Sequence, residues 1–172
     1  MADMFLESCG TVLFRLSTRQ ICILRLIKTD EYVLPKGRRN VGESHPATAI
    51  RETTEEAGIP CRLLPINMHS RACPAVEAAA NAPDEARFYE AIHEPIAVQT
   101  RHSDEMGLRL IWWFVAAVNE GEPIGQHEDD TFDVEFHSHE DTLQKLTFDS
   151  DRKVVQKAID IVTSTIGNRE LA

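Results

Sequence analysis

Three glutamates are crowded into one short stretch of the chain, at Glu52, Glu55 and Glu56. At about 100° per residue of an α-helix, their carboxylates would project within an arc of roughly 100°. Like charges this close destabilise a helix, and a hard cation such as Mg²⁺ or Mn²⁺ offsets the repulsion because it prefers carboxylate and water oxygens. Arg51 lies one turn before Glu55, at the spacing of an orienting ion pair. The pattern indicates a metal-binding helix, against the plain alternative of a solvated acidic helix face.

The neighbouring residues predict the helix that positions these carboxylates. Ser44 is a suitable N-cap, Pro46 suits a first helical turn, and Gly58 can end the helix after Ala57. Residues 37–45 are polar and contain two glycines, which predicts a loop. The glutamates would therefore lie on a helix that follows directly from a polar loop.

Strand and helix patterns intermix along the rest of the chain. The run at 108–118 is apolar enough to be a central strand covered on both faces. The predicted strands are 8–14, 21–27, 32–34, 61–68, 108–118 and 133–137, and the further helices are 140–146 and 149–166. Nothing repeats and no linker divides the sequence. Residues 1–172 are therefore expected to form one α/β domain, with helices packed on a mixed sheet.

Residues 70–104 show no sustained hydrophobic period. The segment is rich in alanine and contains Pro74, Pro83 and Pro95. A long, weakly patterned segment inside a compact domain is often a functional loop or lid. A variable surface insertion is an equal alternative.

The charge balance restricts the class of partner. The chain has 28 acidic and 18 basic residues and a formal net charge of -10, which disfavours duplex nucleic acid and gives no reason to expect an anionic membrane. A small anionic ligand remains compatible where local cations or a metal offset the repulsion. Lys36, Arg38 and Arg39 form such a local group, either as phosphate clamps or as solvated loop residues. Weaker candidates for the same role are Arg71, Arg101 and Arg109.

The cysteines point to a reducing compartment. Cys9, Cys22, Cys61 and Cys73 are scattered, without a C-x-x-C motif or zinc-ligand spacing to a histidine. The sequence has no long apolar run and no signal-peptide layout at its start. A cytoplasmic protein is expected, with secretion the alternative if a leader has been removed.

The glutamate helix resembles the signature of a known family. The spacing G-x5-E-x7-R-E-U-x-E-E-x-G-U, in which U is a bulky apolar residue, defines the Nudix box of the Nudix hydrolases. It is matched by Gly37, Glu43, Arg51, Glu52, Glu55, Glu56, Gly58 and Ile59. Thr53 departs from the pattern at the first U, which is expected to change packing beneath the helix rather than the site.

The resemblance implies a Nudix-type α/β/α sandwich and a diphosphatase that needs Mg²⁺, with Mn²⁺ as a substitute. It implies metal binding by Glu52 and Glu56 together with the Gly37 carbonyl, and a role for Glu55 as a further ligand or as the base that activates water. Glu43 would brace the loop and Arg51 would orient the glutamates. Glu128 matches a distal acid that binds metal or takes the proton in some relatives, against an ordinary place in an exposed acidic run.

Within the family, the chain looks most like diadenosine polyphosphate hydrolases and the related diphosphoinositol polyphosphate phosphohydrolases. The similar segments are Ser8-Cys9-Gly10, Leu34-Pro35-Lys36-Gly37, Trp112-Trp113 and His127-Glu128. The expected substrate is therefore a small phosphoanhydride of one of these two classes. Alternatives are a clean-up pyrophosphatase for nucleoside triphosphates or nucleotide sugars, and a catalytically silent domain that senses nucleotides. Silent domains usually lose box glutamates, and all of them are present here.

Overall fold

Two long parallel strands form the centre of the main sheet. The computed structural model describes residues 5–74, 83–103, 107–123 and 131–170. In those residues the strands are β1 Phe5–Arg15, β2 Gln20–Leu26, β3 Glu31–Val33, β4 Lys36–Arg38, β5 Cys61–Leu63, β6 Ile66–Ser70, β7 Arg87–Ile92, β8 Ala97–Ser103, β9 Gly107–Val118 and β10 Phe132–Ser138. The helices are α1 His45–Ala57, α2 His139–Lys145 and α3 Asp149–Glu170.

The main sheet has the strand order β10-β2-β1-β9-β5, and β3, β4 and β8 pair with β2, β1 and β9 respectively. Strand β1 runs parallel to β9 from Phe5↔Leu108 to Phe14↔Ala117. The remaining pairings in this sheet are antiparallel, so the sheet is mixed. Strands β6 and β7 form a separate two-stranded sheet.

The β1–β2 hairpin is open over most of its length, and β4 occupies the opening. The register of β1 with β2 covers only Phe14↔Ile21 and Arg15↔Gln20, and nearer the start of β1 the pairing passes to β4, at Gly10↔Lys36. A Cβ atom at Gly10 would lie 2.6 Å from Trp113 Cζ3 and 2.6 Å from Lys36 Cβ. Gly10 therefore lets β4 approach the centre of the sheet closely.

Helices cover both faces of the sheet. On one face Val12 and Phe14 pack in a cluster with Val154 and Val155 of α3. On the other face Leu13 packs with Ala57 of α1. Because strand residues alternate between faces, β1 residues with even numbers point towards α3 and those with odd numbers towards α1. The predicted α/β/α sandwich on a mixed sheet is confirmed.

Helix α1 follows the prediction closely. It spans His45–Ala57, the Ser44 side chain accepts a hydrogen bond from the Ala47 N–H, and Gly58 ends the helix with a φ of 65°. Strand β9 is central, as expected, with Ile111 and Trp113 fully buried. Of the helices in the described ranges, none combines the length and apolar character of a membrane span.

Two predictions differ from the structure by more than the ends of an element. The strand predicted over 61–68 is wrong as one element, because the chain leaves the main sheet after β5 and enters the small sheet at β6. Pro65 stands at this break and has no N–H with which to continue a ladder. The loop predicted over 37–45 begins later than expected, since Gly37 and Arg38 belong to β4.

The segment 70–104 contains two strands, β7 and β8, that its sequence pattern does not predict. Strand β7 pairs with β6, and β8 joins the main sheet beside β9. Residues 75–82 lie outside the described part of the chain. The choice between a lid and a surface insertion for residues 70–104 stays a prediction. Strand β8 contributes Gln99 and Arg101 to the face that α3 covers.

Candidate active site

Arg51 is the centre of a hydrogen-bond network on the exposed side of α1. Its Nε and Nη2 donate to the two carboxylate oxygens of Glu43, at 2.9 and 3.0 Å. Its Nη1 donates to Glu52 Oε1 at 2.7 Å and to Glu55 Oε2 at 2.9 Å, and Nη2 also reaches the Arg38 carbonyl at 2.9 Å. A guanidinium has five N–H donors, and these contacts use all of them. Arg51 therefore fixes the helix, the preceding loop and β4 relative to one another.

Glu43 is the carboxylate most strongly stabilised by this network. The hydrogen bonds from Arg51 are the largest cause that lowers the pKa of Glu43, to about 2, and the Asn40 N–H and the Thr48 hydroxyl add to the effect. The same pair raises the pKa of Arg51. Glu43 stays ionised at any physiological pH, and its carboxylate accepts hydrogen bonds from the loop residue Asn40 and from Thr48 of α1.

Glu52 and Glu56 lie against strand β4, one helical turn apart. A Cβ atom at position 37 would collide with the Glu52 carboxylate, so a larger residue there would force the Glu52 side chain to move. Glu56 Oε2 accepts a hydrogen bond from the Lys36 N–H at 2.7 Å. The Glu55 side chain is 58% exposed, whereas that of Glu52 is 13% exposed. The three glutamates are therefore not equivalent, since two face the β4 backbone and one faces solvent.

This donor set suits a hard divalent cation. It comprises carboxylate oxygens beside a glycine backbone, and Gly37 leaves the space next to Glu52 free of a side chain. Among the described residues, no three Asp, Glu, His or Cys side chains converge as a preformed metal-binding group. The contacts explain why: Glu52 and Glu55 both accept from Arg51, and Glu56 accepts from the Lys36 N–H.

The departure from the Nudix box at Thr53 is matched by a second threonine. Thr53 is fully buried on the face of α1 that packs against the sheet, and its hydroxyl lies 2.9 Å from that of Thr11 on β1. A buried hydroxyl needs a partner, and each of these two residues supplies one for the other. Position 53 thus belongs to the packing under the helix.

The structure separates the three cations of the segment 36–39. Lys36 and Arg38 pair with Gly10 and Ser8, so alternation places them on the α3 side of β4. Arg39 is on the α1 side, where its guanidinium donates to Glu7 Oε2 at 2.8 Å and to the Glu43 carbonyl at 2.9 Å. Arg38 is exposed and makes no ion pair with any described residue.

Several residues in the site carry no sequence signal of their own. Glu7 pairs with Arg39 and accepts from His45 Nε2 at 2.9 Å, and the hydrogen bond with His45 is the main cause that lowers the pKa of Glu7. Asp151 is buried on α3, where it pairs with Arg101. A helical period that includes Asp151 with the apolar residues Val155, Ala158 and Val162 is the one pattern that indicates its burial. Glu128 lies outside the described residues.

The comparisons with known proteins define the class. A model of the NUDIX domain matches residues 7–158. The chain therefore belongs to the Nudix family and is, by class, a pyrophosphate hydrolase. A comparison with curated proteins gives no match.

Solved structures show the same fold. The chain is similar to an Ap4A hydrolase of C. elegans, with 20% identity, a TM-score of 0.58, and coverage of 90% of this chain and 96% of the other. It is also similar to a NUDIX hydrolase from Nitrosomonas europaea, with 11% identity, a TM-score of 0.59 and coverage of 88% and 86%. The MutT protein from Bacillus halodurans has 14% identity, a TM-score of 0.58 and coverage of 88% and 80%. At these identities the similarity concerns the fold alone.

Proposed function

We propose that this chain is an Mg²⁺-dependent diphosphohydrolase whose substrate is a diadenosine polyphosphate or a diphosphoinositol polyphosphate. The observation that supports it most is the Arg51 network, which holds Glu43, Glu52 and Glu55 together beside the β4 backbone. Mn²⁺ is expected to replace Mg²⁺, because both prefer oxygen ligands.

In this proposal Glu52, Glu56 and the Gly37 carbonyl hold the metal, with Glu55 beside them. A bound Mg²⁺ supplies neutralisation of the phosphate oxygens and a lower pKa for a coordinated water. The two ligand glutamates differ in burial from Glu55, so they suit a fixed position against β4. Arg51 positions Glu52 and Glu55 and does not need to touch the substrate.

Hydrolysis forms a bond between a water oxygen and phosphorus and breaks the bridging P–O bond, and the proton of the water requires an acceptor. Glu55 is the exposed carboxylate of the helix and accepts one hydrogen bond from Arg51, at 2.9 Å. We assign it the role of base, within reach of a water at the solvent side of the helix. Glu128 keeps its sequence-based assignment as a distal acid.

Two observations bear on the substrate. The segments Leu34-Pro35-Lys36-Gly37 and Trp112-Trp113 resemble those of diadenosine polyphosphate hydrolases, which favours a dinucleoside polyphosphate. The cations Lys36 and Arg38 on the α3 side of β4 favour a ligand with several phosphates, because the protein as a whole is acidic and would repel it elsewhere. Both substrate classes carry several phosphates that these cations could bind. Nucleotide sugars carry only two phosphates and fit the cations less well.

A substrate panel tests the proposal. It contains diadenosine tetraphosphate, an inositol pyrophosphate, a nucleoside triphosphate, ADP-ribose and capped RNA, each with Mg²⁺ and with chelator, in ¹⁸O-labelled water. We expect Mg²⁺-dependent cleavage of one of the first two, with the label in a phosphate product, and none with chelator. Preference for a nucleoside triphosphate or ADP-ribose would replace the substrate assignment, and no turnover of any compound would favour a silent domain.

A further inference from the structure

Two arginines stand directly opposite each other on strands β8 and β9. Arg101 and Arg109 are register partners, and the Cβ atoms of such partners are about 4.5–5.5 Å apart. Ile111 and Trp113 follow Arg109 at alternate positions of β9 and belong to the core cluster under α3. Both arginines therefore face the α3 side of the sheet. Like charges placed in this way repel, so an anion between them would be stabilising.

One of these arginines is held in place by the start of α3. Arg101 Nη2 donates to Asp151 Oδ1 at 2.8 Å, and the Asp151 side chain is 1% exposed. Gln99, from the same strand, donates to the Ser150 carbonyl at 2.7 Å, and the ring centroid of Phe148 is 5.5 Å from Arg101 Cζ. Arg109 is half-buried and has no ion-pair partner within the described residues.

Lys36 brings this pair close to the catalytic helix. Lys36 pairs with Gly10 of β1, and Gly10 pairs with Trp113 of β9, which lies four residues beyond Arg109 on the same face of the sheet. Burial is the largest cause that lowers the pKa of Lys36, and the charges of Arg101 and Arg109 lower it further, against the opposing effect of Glu56 and Asp151. The Lys36 N–H meanwhile donates to Glu56, so β4 contacts the α1 carboxylates, and β1 lies between β4 and the strand that carries Arg109.

We infer that Arg101 and Arg109 form a phosphate-binding subsite on the α3 side of the sheet, which holds phosphates that are not part of the scissile bond. Asp151 is its positioning residue, because it fixes the Arg101 guanidinium before the ligand arrives and so reduces the entropy lost on binding. As a statement about the substrate, this rests on the proposed function. It selects polyphosphates with three or more phosphates over compounds with two.

Calorimetry with inorganic tripolyphosphate and pyrophosphate, without added metal, tests the subsite apart from turnover. The full chain is compared with Arg101→Gln, Arg109→Gln and the double variant. Lys153→Gln is the matched control, since Lys153 is an exposed cation on α3 that pairs with Asp149. We expect each lost arginine contact to weaken tripolyphosphate binding about 10-fold or more and to weaken pyrophosphate binding as well, because without metal both anions bind through cations alone, with no effect in the control. Equal affinity of the full chain and the double variant for tripolyphosphate would overturn the inference.

Thermal unfolding separates ligand binding from a structural role. Arg109→Gln removes a like-charge contact, so its Tm should rise by about 1–3 °C while tripolyphosphate binding weakens. An arginine that stabilises the fold would show the opposite, a lower Tm with unchanged affinity, and this would contradict us. Asp151→Asn should weaken tripolyphosphate binding, but not further when Arg101→Gln is already present. If Asp151→Asn fails to fold, the Tm and the tripolyphosphate affinity of Arg109→Gln still distinguish a binding role from a structural one. Binding intact without hydrolysis of any substrate would refute the proposed function and leave the subsite standing.

Discussion

The two faces of the sheet around strand β4 balance charge in opposite ways. On the α1 side each arginine is paired, Arg51 with three glutamates and Arg39 with Glu7. On the α3 side Lys36, Arg38 and the pair at 101 and 109 outnumber the one buried acid in the described residues, Asp151. Balanced ion pairs hold a geometry, whereas an excess of cations over acids attracts an anionic ligand. We therefore assign the chemistry to the α1 side and substrate selection to the α3 side.

The largest effect is expected on the α1 side. Glu56→Gln keeps the shape of the side chain and removes its charge, so the fold should survive while kcat falls at least ~100-fold, as for loss of a metal-held transition state. Steady-state kinetics at saturating Mg²⁺, with circular dichroism as the folding control, measures this. Glu140→Gln is the matched control, because Glu140 lies on the surface of α2. Near-normal turnover of Glu56→Gln would show that the carboxylate of Glu56 on α1 is not needed for the reaction.

Arg38 and Arg39 are neighbours in sequence, but they lie on opposite sides of the sheet. Arg38→Gln should raise KM for a polyphosphate substrate by about 10-fold, as expected for one charge-assisted phosphate contact. Arg39→Gln breaks the pair with Glu7, whose partners are 31% and 19% exposed, so it should cost at most about 1 kcal/mol of stability and leave KM unchanged. Kinetics on both variants and unfolding in urea measure the two effects. A raised KM in Arg39→Gln and not in Arg38→Gln would reverse our placement of the clamp.

The buried hydroxyl pair under α1 should influence stability alone. Thr53→Val leaves the Thr11 hydroxyl without a partner, at a cost of about 1–3 kcal/mol in the free energy of unfolding. Adding Thr11→Val removes the second hydroxyl, so the double variant should regain most of that loss. Additive losses in the double-mutant cycle would mean that the hydroxyls do not interact. A change in the preference between substrates would mean that position 53 acts on the site.

The local parts of this architecture could be predicted from the sequence. The glutamate helix, its N-cap at Ser44 and its end at Gly58 depend on residues a few positions apart, and the structure confirms them. The apolar run of β9 is equally local, because burial on both faces requires nothing more than its own composition.

The α3 side could not be predicted, because it depends on pairings between distant residues. Arg101 and Arg109 become neighbours only through the β8–β9 register, and Asp151 pairs with Arg101 from a helix 50 residues further along the chain. The segment 36–39 looks like one basic cluster in sequence, since nothing local reveals that β4 is a strand. Because side chains alternate along this strand, Lys36 and Arg39 lie on opposite faces of the sheet.

The central claim is that one side of β4 carries out the reaction and the other selects the substrate, and a ratio of specificities tests it most directly. The measurement is kcat/KM for an inositol pyrophosphate divided by kcat/KM for diadenosine tetraphosphate, in Arg51→Lys and in Lys36→Gln. Arg51→Lys loses the planar fork that holds Glu43, Glu52 and Glu55, so it should lower kcat on both substrates by the same factor and leave the ratio unchanged.

Lys36→Gln should lower the ratio about 10-fold, because the inositol pyrophosphate is held by its phosphates alone and the dinucleotide also has its bases. A ratio that changes in Arg51→Lys and stays constant in Lys36→Gln would contradict the division of roles between the two faces.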